Sequence, residues 1–291
     1  MKAGVCSYCF NPMFIAGEIT LPEAIAFIGK ETDADCFEPL TRFLDPDRDE
    51  NEQAREFKDQ MDDLGLEASC YTLDSDFSVF DEAAYRTCIE RSIARLDTAL
   101  LLGTHTIRLD PRSSLSGRSP EEVDADDILA RVAKGMQEIT DAAAEKGMAV
   151  GMENHGRLLG RTAQVARFLE RVDRPNFGVN LDPTNFRSVF GEDHIEATRR
   201  FADRVVHVHI KDFHISQEPR EGEEWRQIPS GEYVKRAVGG EGNTGWAPSG
   251  NSDSSSPLAS EPSTSICISS SASVSPSASR HAAQTCKFFG M

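Results

Sequence analysis

No run of about 20 consecutive apolar residues, the length needed to cross a bilayer, occurs in these 291 residues, so a membrane span is not expected. The N-terminus, Met1-Lys-Ala-Gly-Val-Cys6, lacks the long apolar region of a secretory signal peptide and reads instead as a first strand. Positive charge is also scarce. There are 31 Lys and Arg against 48 Asp and Glu, a net charge of −17, which argues against a broad basic face for a nucleic-acid backbone. A local basic pocket built from Arg108, Lys211 and Arg236 is still compatible with that balance. Seven Cys over this length make no disulfide framework, and reduced thiols in the cytoplasm are the expectation. Cys6-Ser-Tyr-Cys9 has the CxxC spacing but no second pair to complete a zinc site. Residues three apart on a strand also point to opposite faces.

Charge is missing locally as well. Residues 243–291 contain 15 Ser in 49 positions and only four charged residues, Asp253, Glu261, Arg280 and Lys287. Such a switch within one chain marks a boundary, and the Ser-rich side is expected to be a disordered tail without a core. A frameshift near codons 243–248 produces this kind of sequence. The preceding 242 residues suit one (β/α)8 barrel, for which about 250 is typical.

What is present is concentrated in three segments: Met148-Ala-Val-Gly-Met-Glu-Asn-His155, Phe177-Gly-Val-Asn-Leu-Asp182 and Val205-Val-His-Val-His-Ile-Lys-Asp212. In each, a run suited to a buried strand gives way to a polar group: Glu153, Asp182 and His209. Glu153 and Asp182 are 29 residues apart, and Asp182 and His209 are 27 apart. That is about one βα unit of a parallel barrel, whose catalytic groups gather at the C-terminal strand ends. Two carboxylates and an imidazole on one rim make a site for a divalent metal.

The rest of the chain alternates in the same way. Strands are expected at Gly4–Phe10, Ala34–Pro39, Leu66–Leu73, His105–Leu109, Met148–Glu153, Phe177–Leu181 and Val205–Ile210. Helices are expected at Leu21–Lys30, Asp47–Leu64, Asp81–Leu102, Pro120–Lys146, Thr162–Arg171 and Asp193–Ala202, several of them closed by Gly. After Ile210 a polar loop over 213–239 leads to Gly240-Glu-Gly242, and no eighth strand is recognisable. Ile266-Cys-Ile268 is the one apolar triplet of the tail. The barrel is therefore expected to be incomplete, its eighth βα unit missing or replaced. Two parallel edges are then exposed, which favours self-association as a homo-oligomer.

The series Glu153-Asn154-His155, Asp182-Pro-Thr-Asn185, His207-Val-His209-Ile-Lys211-Asp212 and Gly240-Glu-Gly242 resembles the motifs of the sugar phosphate isomerase/epimerase proteins, in the xylose isomerase-like TIM-barrel superfamily. The resemblance covers residues 1–242. It implies a divalent metal (Mn, Mg, Co or Zn) held by Glu153, Asp182 and His209, with a final Glu from strand eight that has no counterpart in the tail. It also implies that Glu153 is one of two glutamates exchanging the proton beside a carbonyl. Abstraction of that proton becomes feasible when a metal polarises the carbonyl oxygen and a carboxylate acts as base. Asn185 stands where family epimerases often carry His.

Each residue also has a plainer reading. Glu153 can serve as a structural ion-pair partner, and Asp182, before Pro183, as a turn cap. His207 and His209 share one strand face, so His207 is a candidate substrate contact beside the ligand His209. His155, Lys211, Asn185, Arg108 and Glu38 are further candidates for substrate binding, with loop surface, a solvated rim and ordinary salt bridges as their alternatives. The resulting expectation is a metal-dependent isomerase or epimerase acting on a sugar, sugar phosphate or polyol, impaired by loss of its C-terminal ligand. The alternatives are a dehydratase or hydrolase on the same scaffold, and a catalytically silent metal- or sugar-binding protein.

Overall fold

The structure, a computed structural model of the chain, describes residues 2–110, 125–156, 158–245 and 265–268. Short apolar strands alternate with longer helices: β1 (Lys2–Cys6), β2 (Cys36–Glu38), β3 (Glu67–Ala68), β4 (Tyr71–Leu73), β5 (Thr106–Leu109), β6 (Ala149–Glu153), β7 (Phe177–Leu181) and β8 (Val205–Ile210). The helices are α1 (Asn11–Ala16), α2 (Leu21–Glu31), α3 (Glu50–Asp63), α4 (Glu82–Leu101), α5 (Ala125–Glu145), α6 (Thr162–Val172), α7 (Pro183–Phe190) and α8 (His194–Phe201). Their starts follow local chemistry. Thr20 and Glu23 form a capping box on α2, and Asp81 accepts from Ala84 N (2.7 Å) at the start of α4.

The strands form one parallel sheet in the order β3-β2-β1-β12-β8-β7-β6-β5-β4, where β12 is Ser265–Ile268. β3 and β4 are the two halves of a single broken strand, one paired with β2 and the other with β5, so the sheet closes on itself as a barrel. Every residue of β7 is buried, as the two-sided cover of a parallel sheet requires. Ile107, Leu109, Val150, Met152, Val179 and Leu181 belong to one core cluster with Phe168, Phe177 and Ile139.

The eighth position is filled, as the replaced arm of the expectation has it, although no strand is recognisable there in the sequence. Ser265–Ile268 from the Ser-rich segment replaces the missing unit, running parallel to β1 (Lys2↔Ser265 to Val5↔Ile268) and to β8 (Ile266↔Val208 to Ile268↔Ile210). Two β-branched residues in an otherwise polar segment suit a slot flanked by two unpaired edges. The rest of the proposed disordered tail, beyond 243–245, lies outside the described residues, as does the start of the helix expected from Pro120.

Three further differences bear on the site. The first strand stops at Cys6, and Ser7–Phe10 turn as a 3-10 helix before Pro12 enters α1. The polar loop 213–239 is instead a three-stranded antiparallel flap of β9 (Asp212–Ser216), β10 (Arg226–Gln227) and β11 (Tyr233–Ala237). Finally, α7 was not expected. It starts where Asp182-Pro183 leaves β7 and ends at Gly191 (φ 71°). Among the described residues, no helix is long and apolar enough to cross a membrane.

Candidate metal centre

The ends of three neighbouring strands converge. Glu153 closes β6, Asp182 follows β7 as the residue before α7, and His207 and His209 alternate along β8. All four are at most 1% exposed. Asn154 fixes the backbone between the first two: its Nδ2 donates to Asp182 O and its Oδ1 accepts from Asp182 N, both at 2.8 Å. Thr184 Oγ1 donates to Lys211 O (2.8 Å), tying α7 to the end of β8.

Two cations enter this acidic group. Lys211 Nζ lies 2.6 Å from Asp182 Oδ2 and 3.2 Å from Glu153 Oε1. Arg108 pairs with Glu153 Oε2 and stands 3.6 Å from both Asp110 Oδ2 and Glu38 Oε1. Asn185 Nδ2 donates to Glu153 Oε1 at 3.1 Å. On its other side, Glu38 from β2 accepts from His209 Nε2 (2.6 Å) and His207 Nε2 (3.1 Å).

The electrostatics are uneven. Burial pushes the Glu153 carboxyl up, but Arg108 and Lys211 outweigh it and hold the group well below the usual carboxylate range. Burial raises Asp182, and Glu153 adds to that, beyond what Lys211 takes back. His209 is pushed down by burial, yet Glu38 and Glu153 bring it up to about 9. Burial dominates at His207, which is lowered despite Glu38. Lys211 is raised because Asp182 and Glu153 outweigh its burial.

Glu153, Asp182 and His209 each offer one ligand atom, and these atoms lie within 4.8 Å of one another. Asp182 Oδ1 is buried with no hydrogen-bond partner among the described residues, and burial raises its carboxyl above the ordinary range. A carboxylate oxygen left without a partner beside a second carboxylate and an imidazole fits a divalent cation held by an oxygen, oxygen and nitrogen donor set. No residue of β12 is a carboxylate. Two other groupings, Cys6-Glu38-His209 and Glu38-Cys70-His207, have the same spacing.

Above the cluster opens a cavity of about 890 Å³. Arg108, Glu153, His155, Asn185, His209 and Lys211 line it, so these candidates are brought together, with His155 exposed at the rim. Glu38 and His207 are not among its lining residues; Glu38 is 0% exposed and His207 1%, and the two meet each other at 3.1 Å. The flap supplies a wall that sequence reading missed, including Trp225 and Arg226, and it brings Arg236 to the same cavity as Arg108 and Lys211. Its strands are two to five residues long, too short to show a period. Asn154 was also missed as a latch, although it stands between the two quoted residues Glu153 and His155.

The Gly240-Glu241-Gly242 turn has a local purpose. Gly240 N (3.0 Å) and Gly242 N (2.8 Å) donate to Asp212 Oδ2, and a Cβ on Gly242 would collide with that carboxylate. The turn closes the flap onto the end of β8.

A closed parallel barrel with a buried Glu-Asp-His group at the C-terminal strand ends defines the TIM-barrel class of site. Residues 28–248 match the family described as xylose isomerase-like TIM barrel, and the chain belongs to that family. It is 33% identical over 82 residues to an inosose dehydratase of Geobacillus thermodenitrificans (strain NG80-2), 28% of this chain and 27% of that protein. It is 31% identical over 97 residues to an inosose dehydratase of Lacticaseibacillus casei, 33% and 32% of the two chains. The matched segment spans less than a third of the length of these curated relatives. Among solved structures it resembles the IOLI protein with a binding zinc atom (TM-score 0.71, 16% identity, 100% of both chains). It also resembles D-psicose 3-epimerase with D-tagatose from Clostridium cellulolyticum H10 (TM-score 0.72, 15% identity, 99% and 98%). At these identities the likeness shows the fold.

Proposed function

We propose that this chain is a divalent-metal-dependent enzyme acting on a carbonyl-bearing sugar or polyol, and that its reaction is dehydration. Glu153, Asp182 and His209 are the residues assigned to the metal. The observation that carries the reading is the Asp182 Oδ1 atom, buried without a partner beside Glu153 and His209. A bound divalent ion supplies Lewis-acid polarisation of a carbonyl oxygen; Mn, Mg, Co and Zn all suit the donor set. Glu153, held ionised by Arg108 and Lys211, is the base for the proton beside the carbonyl. Lys211, protonated between Asp182 and Glu153, carries a proton for the departing β-hydroxyl, which leaves as water. Trp225 and the flap line one wall of the cavity.

Dehydration needs one base and one acid. Epimerisation by the route the resemblance implies needs two glutamates, and β12 brings none. The sequence similarity to inosose dehydratases supports the same choice. The boundary between barrel and Ser-rich segment at 242/243 belongs to this reading, with Ser265–Ile268 as an inserted strand.

The test incubates the chain with Mn²⁺, Co²⁺ or Zn²⁺ and a panel of keto-sugars and keto-inositols in deuterated water. Loss of one water by mass supports dehydration. Deuterium at the carbon beside the carbonyl with an inverted stereocentre, and no loss of water, establishes epimerisation instead. Metal binding without either reaction makes the chain a binding protein.

A further inference from the structure

We propose that Glu38 is the positioning residue of the metal centre, a buried carboxylate that sets which ring nitrogen His209 presents to the ion. The inference rests on the metal reading above. Glu38 ends β2, on the far side of the barrel from β6 and β7, and crosses the interior to meet β8. Its Oε2 is shared by His209 Nε2 at 2.6 Å and His207 Nε2 at 3.1 Å. Its Oε1 accepts from Thr72 Oγ1, with Arg108 Nη1 3.6 Å away.

An ionised carboxylate has no proton to donate and about four lone-pair positions. Three donors, His207, His209 and Thr72, hydrogen-bond to Glu38 and the Arg108 guanidinium stands 3.6 Å away, so both its oxygens are engaged as acceptors. It is fully buried and absent from the cavity wall. That placement sets it behind His209, which does line the cavity. The same saturation disfavours the Cys6-Glu38-His209 and Glu38-Cys70-His207 groupings as separate metal sites, because binding there would displace hydrogen bonds already made.

What the arrangement does accomplish is orientation. With the Nε2 proton committed to Glu38, His209 turns Nδ1 toward Glu153, whose Oε1 lies 3.9 Å from it. A ring held this way offers the Nδ1 lone pair to the ion, and partners that orient a ligating His act on metal affinity through it. His207, on the same acceptor and edge-on to His209 with ring centroids 5.4 Å apart, stops that ring from rotating. The position the resemblance reserves for a strand-eight Glu has no carboxylate, so the three remaining ligands depend more heavily on being pre-set.

The test is Zn²⁺ titration by calorimetry of the full chain and of Glu38→Gln, with folding checked by circular dichroism. The amide has one acceptor oxygen, so it cannot face both histidines on one side and Thr72 and Arg108 on the other as the carboxylate does. The expected result is a Kd raised about 10- to 100-fold in a folded variant. A Kd within threefold of the wild type overturns the inference, since a purely structural role lowers Tm without changing the affinity of the folded protein. Should Glu38→Gln fail to fold, a long-range proton–nitrogen spectrum of the Zn²⁺-loaded wild type decides. A His209 proton on Nε2 supports the assignment and a proton on Nδ1 overturns it. Absence of Zn²⁺ binding by the wild type removes the metal reading itself. Binding that is indifferent to Glu38→Gln removes this inference alone.

Discussion

Replacing Lys211 by Met should destabilise the metal-free protein and strengthen its grip on metal. The ammonium lies 2.6 Å from Asp182 and 3.2 Å from Glu153 and bridges the two carboxylates. Without it, two buried carboxylates with ligand atoms within 4.8 Å face each other. At an effective dielectric of about 20 that repulsion is about 3.5 kcal/mol, in line with the roughly 3–5 kcal/mol lost when one partner of a buried pair is removed. For a barrel of this size each kcal/mol is worth about 2–4 °C, so Tm in EDTA should fall by roughly 6–20 °C. A divalent ion replaces the lost charge, so the loaded variant should lose much less. By linkage the metal then binds Lys211→Met more tightly than wild type, by at least about tenfold for each 1.4 kcal/mol relieved. Scanning fluorimetry in EDTA and in saturating Mn²⁺, with calorimetric titration, measures both effects. An unchanged Tm in EDTA, or weaker metal binding by the variant, refutes the reasoning.

Four more outcomes follow from the same geometry. The His209 pKa is raised to about 9 in the metal-free fold from about 6.5 unfolded. Its contribution to stability is therefore complete below about 6.5 and lost as pH rises to about 9; denaturant unfolding in EDTA should show that decline, and His209→Gln should abolish it. Zn²⁺ binding should release a proton in this same window, visible as a buffer-dependent enthalpy. Asn154→Ala removes both bonds to the Asp182 backbone and should cost about 1–3 kcal/mol in unfolding; metal affinity should fall with it, and a variant with unaltered stability contradicts the latch. Ending the chain at residue 248 deletes β12 and leaves β1 and β8 with open edges. Light scattering should then detect more association than in the full chain, and a truncation equal to the full chain in dispersity and stability denies β12 its structural role.

Much of the barrel could be read directly, because its signals are local. A buried parallel strand is a short apolar run and its helix an amphipathic one, so seven strand positions and the outer helices stand near where periodicity put them. The flap was hidden because its strands are short and their alternation carries few apolar residues. Ser265–Ile268 was hidden for a different reason. Four residues in a Ser-rich segment have no pattern of their own, and they become a strand only where two edges need a partner.

The site divides along the same line. Spacing alone determined that Glu153, Asp182 and His209 arrive at one rim, because one βα unit advances the chain by one strand and the strands run parallel. Only the closed tertiary structure decided the roles of Glu38, Arg108 and Lys211. Glu38 and His209 are 171 residues apart, and no local pattern relates them. Burial then determines which charges must find each other, since an unpaired carboxylate in the interior costs several kcal/mol. Which strand end supplies the neutralising group depends on how the barrel closes, a property of the whole ring rather than of any segment.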